Sequence, residues 1–214
     1  MKADIGLKFT DFISNNNHPC LMAQAVFKSQ QAVIKEYDKM LSSTTVNGII
    51  KDLKDFLKKY SFEDQEFYSF IAIFSKETID SEIEFENKLW QLLNCLHVMD
   101  KEEWDPSVSK DPTNKEFSFS INGKAFYIVG MHPNSSRLSR QSPYPAIAFN
   151  LHVQFVKLRS DGVFKTVRNK IRERDKELQG NINPMLKDFG TDSEVKQYSG
   201  RIVNKNWKCP FDSK

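Results

Sequence analysis

An Asn-Gly pair at positions 122–123 stands between the segments 117-FSFSI-121 and 124-KAFYIVG-130. Asn and Gly enter left-handed backbone more easily than other residues. A two-residue loop with both central residues in that region carries the twist that antiparallel strands need. The pair therefore predicts a hairpin near the middle of the chain, and with it an antiparallel sheet. Two further apolar segments, 66-EFYSFIAIF-74 and 146-AIAFNLHVQF-155, supply the next strands, for about four in all.

Helical spacing dominates elsewhere. A short pattern runs from Ile5 to Ile13, and 21-LMAQAVFKSQQAVIKEYDKML-41 places Leu21, Ala25, Val33, Tyr37 and Leu41 on one face. The hydroxyl cluster 42-SSTT-45 offers an N-cap to 46-VNGIIKDLKDFLKKY-60, and 82-EIEFENKLWQLLNCLHVMD-100 is a third long helix. A charged helix is expected from about Val163 to Leu178, then a loop-rich tail with turns at Asn183-Pro184, Gly190 and Gly200. Strands and helices do not alternate as βαβ units would. The expected class is α+β, an antiparallel sheet of about four strands with helices packed mainly on one face. The 214 residues fit a single domain, 1–214.

Charge and cysteine usage exclude several function classes. The balance of 31 basic against 28 acidic residues, net +3, argues against nucleic-acid binding. Cys20, Cys95 and Cys209 are widely spaced and form no CxxC pair, so neither a zinc site nor a disulfide framework is expected. The first residues lack the apolar core of a signal peptide, and no apolar run reaches the ~18 residues of a membrane span. The cytoplasm is the expected location. Phosphate-binding glycine loops, HExxH and the GxSxG nucleophile elbow are all missing from the sequence.

Side-chain chemistry concentrates between residues 126 and 155. Read as a strand, 146–155 puts Ile147, Phe149, Leu151, Val153 and Phe155 on one face and Ala146, Ala148, Asn150, His152 and Gln154 on the other. The second face is an uncharged hydrogen-bonding array beside two small alanines, either a ligand site or a solvated strand face. In 130-GMHPNSSRLSR-140, Pro133 keeps His132 out of helical dihedrals and gives the imidazole a defined direction. Ser135 and Ser136 add donors, while Arg137 and Arg140 supply forks suited to carboxylates or phosphates. His97 reads as a core residue of its helix and His18 as part of a pre-helical turn.

The ordered succession 130-GMHPNSSRLSR-140, 149-FNLHVQF-155, 158-LRSDGVF-164, 171-IRERD-175, 183-NPML-186, 198-YSGR-201 and 207-WKCPF-211 resembles the YqcI/YcgG-like family. The segment 18-HPC-20 is similar to the family's N-terminal Phe-Pro-Cys element, with His18 in place of Phe, and little between Met40 and Phe117 matches. Members of that family include haem-dependent oxygenases that hydroxylate a nitrogen of arginine or related guanidines. The resemblance thus implies haem b, O2, an external electron donor and a small guanidine or amine substrate. It implies His132 as axial ligand, with His152 as the alternative. Ser136, Arg137 and Arg140 would face the propionates, and Phe126, Ile128 and Phe149 would form apolar walls. Asn150, His152 and Gln154 would line the distal side. Asp175 or Glu194 would receive a guanidinium, and Arg201, in the same turn as Tyr198, would receive a substrate carboxylate. Thiolate ligation by Cys20 or Cys209 stays open at this point. So do two other readings, a haem-binding protein without turnover and a non-enzymatic domain that binds an anionic partner.

Overall fold

The computed structural model describes residues 5–14, 17–60, 67–186 and 191–212. Helices α1 (Ile5–Ser14) and α2 (Leu21–Lys28) open the chain. Strand β1 (Ala32–Tyr37), helix α3 (Ser43–Lys59) and strand β2 (Ser69–Phe74) follow as a parallel βαβ unit. Helix α4 (Glu82–Met99) leads into the hairpin of β3 (Phe119–Ile121) and β4 (Lys124–Met131). The chain then forms β5 (Ala146–Leu151), α5 (His152–Ser160) and α6 (Phe164–Gln179). The sheet order is β1-β2-β5-β4-β3, antiparallel everywhere except between β1 and β2. The class is α+β with a mostly antiparallel sheet of five strands.

Local chemistry accounts for the elements that the sequence predicts. Asn122 and Gly123 both have positive φ, 53° and 71°, as a tight hairpin requires. Ser42 Oγ accepts from the Thr45 N–H at 3.2 Å and caps α3, and Ser81 does the same for α4 through Glu84. Gly180, with φ 82°, ends α6 by donating its N–H to the Lys176 carbonyl at 2.8 Å. The turn expected at Gly190 lies outside the described residues.

Two elements differ from expectation. The segment 21–41 is not one helix: α2 stops at Lys28, Gln30 takes a left-handed φ of 58°, and β1 begins at Ala32. Leu21, Ala25, Val33, Tyr37 and Leu41 are spaced by multiples of four, and an even spacing also satisfies the two-residue period of a strand. Val33 and Ile34 decide between them, because they pack into the cores on opposite sides of the sheet. The strand read as 146–155 ends at Leu151, and the chain turns helical at His152. Beyond that point the expected alternation breaks: Val153 is exposed and Phe155 half-buried, while His152 and Gln154 are buried.

The sheet separates two interiors. On one face α3 and α4 close over Phe70, Phe74, Phe126, Ile128, Ile147 and Phe149 in the larger apolar core. On the other, α1 lays Phe9 and Ile13 against Ile71, Ile73, Met131, Ala146 and Ala148. The helices therefore serve both faces of the sheet. The second core is smaller because β5 presents only Ala146, Ala148 and Asn150 there.

β3 pairs with only the first residues of β4, which leaves the far half of β4 as an edge. The C-terminal segment covers it. The Gly130 N–H donates to the Tyr198 carbonyl at 2.7 Å. Glycine is required at this contact, because a Cβ at position 130 would stand 2.6 Å from Phe85 and 2.8 Å from the Tyr198 carbonyl oxygen. This seam brings the 3-10 turn Glu194–Gln197 to the edge of the sheet.

Candidate functional site

A cavity of about 310 Å³ lies between the second face of the sheet and helices α1, α2, α5 and α6. Its sheet wall is Ser69, Ile71, Tyr127, Val129, Met131, Ala148 and Asn150; Phe9, Ile13, Val26 and Phe27 face it from α1 and α2. Helix α5 contributes His152, Gln154, Phe155 and Leu158, and the C-terminal turn contributes Glu194 and Gln197. An apolar enclosure with a few convergent polar groups is the usual form of a small-molecule site.

Each polar wall residue is held in a fixed orientation. Asn150 Oδ1 accepts from the Ser69 hydroxyl at 2.7 Å, and its amide donates to the Tyr127 carbonyl at 3.3 Å. Gln154 donates to the Tyr68 carbonyl at 2.9 Å. Burial pushes the His152 pKa down to about 4, helped by the Arg159 charge, so its ring is neutral near pH 7. His18 is also pushed down to about 4 by burial, and both of its ring nitrogens are engaged. Nε2 donates to the Ser139 carbonyl at 2.9 Å, and Nδ1 accepts from the Cys20 N–H at 3.3 Å.

Two buried charged groups stand out in a lining that also includes Arg159, Arg168, Arg172, Asp175 and Asp192. Arg140 is buried, donates through Nη1 to the Gly130 carbonyl at 2.9 Å, and forms no salt bridge among the described residues. Glu194 is buried as well. Its Oε1 accepts from Tyr198 Oη at 2.6 Å and from the Ser118 hydroxyl at 2.9 Å. Burial outweighs these bonds and raises the carboxyl pKa to about 7. The cavity thus holds a buried guanidinium with no salt bridge among the described residues and a carboxyl poised between its two protonation states.

Four polar residues expected at this site lie elsewhere. His132 is 1% exposed but points to the α4 side, its ring stacked on Phe85 at 4.5 Å. It shares the strand face of Gly130, whereas the cavity lies on the face of Val129 and Met131. Arg137 Nη2 donates to Asp175 at 2.5 Å and its Nη1 to Asn181 at 2.6 Å, so both terminal nitrogens of its fork are engaged. Ser136 is exposed and bonds to Glu82. Arg201 pairs with Glu86 of α4, again across the sheet. Asp175 does line the cavity, but its carboxylate serves Arg137 and the Asn183 N–H. Phe126, Ile128 and Phe149 belong to the α3/α4 core, and His97 packs half-buried against Trp104 and Phe211.

Asn150, His152 and Gln154 do line the cavity together, across a strand-to-helix junction rather than along one strand. Arg140 joins them. Glu194 read as one of two carboxylate candidates, and its burial emerges only from the edge-covering turn. Tyr127, His18 and Gln197 gave no functional signal in the sequence, since nothing local in a tyrosine of an apolar strand shows that it faces a cavity.

The fold is thus a single α+β sheet with a helix-covered core on one face and a helix-covered cavity on the other. The model of the YqcI/YcgG family matches residues 9–212, and the chain belongs to that family. It is 29% identical over 212 residues to an uncharacterized protein YqcI of Bacillus subtilis (strain 168), covering 92% of this chain and 81% of that protein. No solved structure matches it.

The cavity residues fit the haem that the family resemblance implies. Haem needs an apolar slot, one axial ligand and partners for two propionates. The slot exists between Ile71, Val129, Met131 and Ala148 on the sheet and the phenylalanines of α1 and α2. His152 would be the axial ligand, since it lines the cavity and His132 does not. Cys20 caps α2 by accepting the Ala23 N–H, and burial raises its pKa, which keeps it a thiol. Cys209 packs against the α3/α4 core, its thiol pushed up to about 12 by burial. Arg140 would face one propionate, and Arg159, Arg168 and Arg172 are further cations on the cavity wall.

Proposed function

We propose that this chain is a haem-dependent N-oxygenase whose cavity holds haem b together with a guanidine or amine substrate. The observation that carries this reading is the joint presence in one apolar cavity of neutral His152, buried Arg140 and Glu194. When bound, the haem supplies O2 activation with electrons from an external donor, and the oxygen goes to a substrate nitrogen.

The chain's own residues do the positioning. His152 offers an imidazole lone pair, since burial keeps it unprotonated at neutral pH. Arg140 holds one anionic group, of the cofactor or of the substrate. Glu194 receives the cationic nitrogen, and a bound cation lowers the carboxyl pKa from about 7 and ionises it. Tyr198 and Ser118 fix Oε1 and leave the other oxygen for the ligand. Asn150 and Gln154, each already bonded, line the polar side without rotating away. The three cysteines are free, which suits a reducing cytoplasm. No helix of the described residues is long and apolar enough to cross a membrane.

The test is a screen of arginine and simpler guanidines and amines with haem-loaded protein, a chemical or enzymatic reductant and isotopically labelled O2. The expected product carries one labelled oxygen on nitrogen. Glu194→Gln should raise KM for cationic substrates about tenfold or more, the loss of one charge-assisted bond. Haem uptake without any labelled product would leave a haem-binding protein that does not turn over. A protein that stays colourless would instead favour an anion-binding domain centred on Arg140.

A further inference from the structure

Tyr127 faces the cavity, and three further oxidisable rings lead away from it. Tyr198 lies next, with ring centroids 6.0 Å apart and planes at 85°. Trp90 stacks on Tyr198 at 5.6 Å and 20°, and Trp207 stands 6.3 Å beyond Trp90. The path passes round the β4 edge at the seam where the C-terminal segment covers it. Tyr198 and Trp90 are fully buried, whereas Trp207 is half-buried at the outside of the fold. Neighbouring rings at these separations exchange electrons readily, because tunnelling between π systems weakens steeply with distance and the gaps here are near van der Waals contact.

The hydrogen bonding suits such a path. Tyrosine at neutral pH gives up an electron only if its phenolic proton can leave with it. Tyr198 donates that proton's hydrogen bond to Glu194 Oε1 at 2.6 Å and accepts the Phe119 N–H at 3.2 Å. Glu194 can take the proton, and the amide can stabilise the remaining oxygen. Trp90 has the opposite arrangement: its indole N–H is buried with no hydrogen-bond partner. A buried unsatisfied donor costs stability and calls for an account. Without an acceptor nearby, an oxidised Trp90 keeps its proton and passes the charge on instead of trapping it.

We propose that Tyr198, Trp90 and Trp207 form a relay that carries oxidising equivalents from the cavity to the surface, past Tyr127, whose hydroxyl donates to the Gln197 amide oxygen at 2.7 Å and so keeps its proton. This rests on the haem reading of the cavity, which supplies the oxidant when haem meets peroxide. Each step moves one electron inward and one vacancy outward, with no bond formed between the residues. Tyr198 passes its proton to Glu194 and regains it when Trp90 reduces it. At Trp207 the vacancy is filled by an external one-electron reductant of the phenol class. Reduction of one hydrogen peroxide to two waters takes two electrons and two protons, supplied by two phenols. The relay thus gives the protein a peroxidase activity toward reductants too bulky for the cavity, and spares Met131 and Cys20 on its walls.

The experiment uses the full chain loaded with haem, its Soret band recorded before peroxide is added. Radicals are trapped by freezing for electron paramagnetic resonance, and oxidised residues are mapped by peptide mass spectrometry. The wild type should show a tryptophan radical and oxidation at Trp207. Trp90→Phe should reduce Trp207 oxidation to the level seen without peroxide and move damage to Met131, Cys20 and Tyr127. Trp207→Phe, at a half-buried position that tolerates the change, should move damage back to Trp90 and Tyr198. Equal Trp207 oxidation in the wild type and Trp90→Phe would overturn the relay alone. So would wild-type damage confined to the cavity wall. A chain that takes up no haem fails at the Soret band, before peroxide, and removes both the relay and the reading it rests on.

Discussion

The account rests first on a few buried ionisable residues. Glu194 has a carboxyl pKa raised from 4.5 to about 7, so between those values the folded protein holds a proton that the unfolded chain has released. Stability must then fall as pH rises through that window, by roughly 3 kcal/mol in total. Glu194→Gln should remove this loss, raising the melting temperature at pH 8 while changing little at pH 4. His18 and His152 act in the opposite direction, since their pKa values fall from 6.5 to about 4. The unfolded chain binds their protons first, so stability is lost as pH falls from 6.5 toward 4. In Glu194→Gln that acid-side loss should appear uncompensated, and denaturant titrations across pH would read the slope. Arg137 and Asp175 form a buried pair, 2% and 4% exposed. Asp175→Ala leaves the guanidinium buried and uncompensated and should cost about 3–5 kcal/mol. Denaturation at fixed pH checks this, and a loss near zero would show that the pair is not holding the 3-10 turn Leu138–Arg140 against α6.

Between elements, the decisive contacts are the junction of β5 with α5 and the seam of β4 with the C-terminal segment. Had β5 continued to Phe155, His152 and Gln154 would follow Asn150 along one straight row. The helical turn at His152 instead folds them over the end of the sheet, so that all three wall the cavity. The seam depends on Gly130. Gly130→Ala places a methyl carbon against Phe85, Leu89 and the Tyr198 carbonyl and should destabilise by about 1–3 kcal/mol. Because that seam carries Glu194, the variant should also lose affinity for cationic ligands, measured by calorimetry. Unchanged stability and affinity in Gly130→Ala would mean that the edge cover is dispensable.

The whole molecule shows which parts of such a protein can be read from its chain. The hairpin, the cap of α3 and the apolar face of β5 were legible, because a turn, a cap or an alternation is a local property. β1 was hidden because its apolar residues satisfy helix and strand periods alike. The site was half legible. Arg140, Asn150, His152 and Gln154 belong to it, but His132, Ser136, Arg137 and Arg201 face other partners, and no spacing rule reveals which side of a sheet a loop residue will join. Glu194 lies far from these residues in the chain, and only the covering of an open sheet edge brings it to the cavity. The central claim, that this cavity and not the His132 side binds haem, is tested most directly by titrating haem into the wild type, His152→Ala and His132→Ala. The account predicts a stoichiometric Soret band in the wild type and in His132→Ala, and its loss or shift to weak, non-specific absorption in His152→Ala. A band kept in His152→Ala and lost in a folded His132→Ala would contradict it.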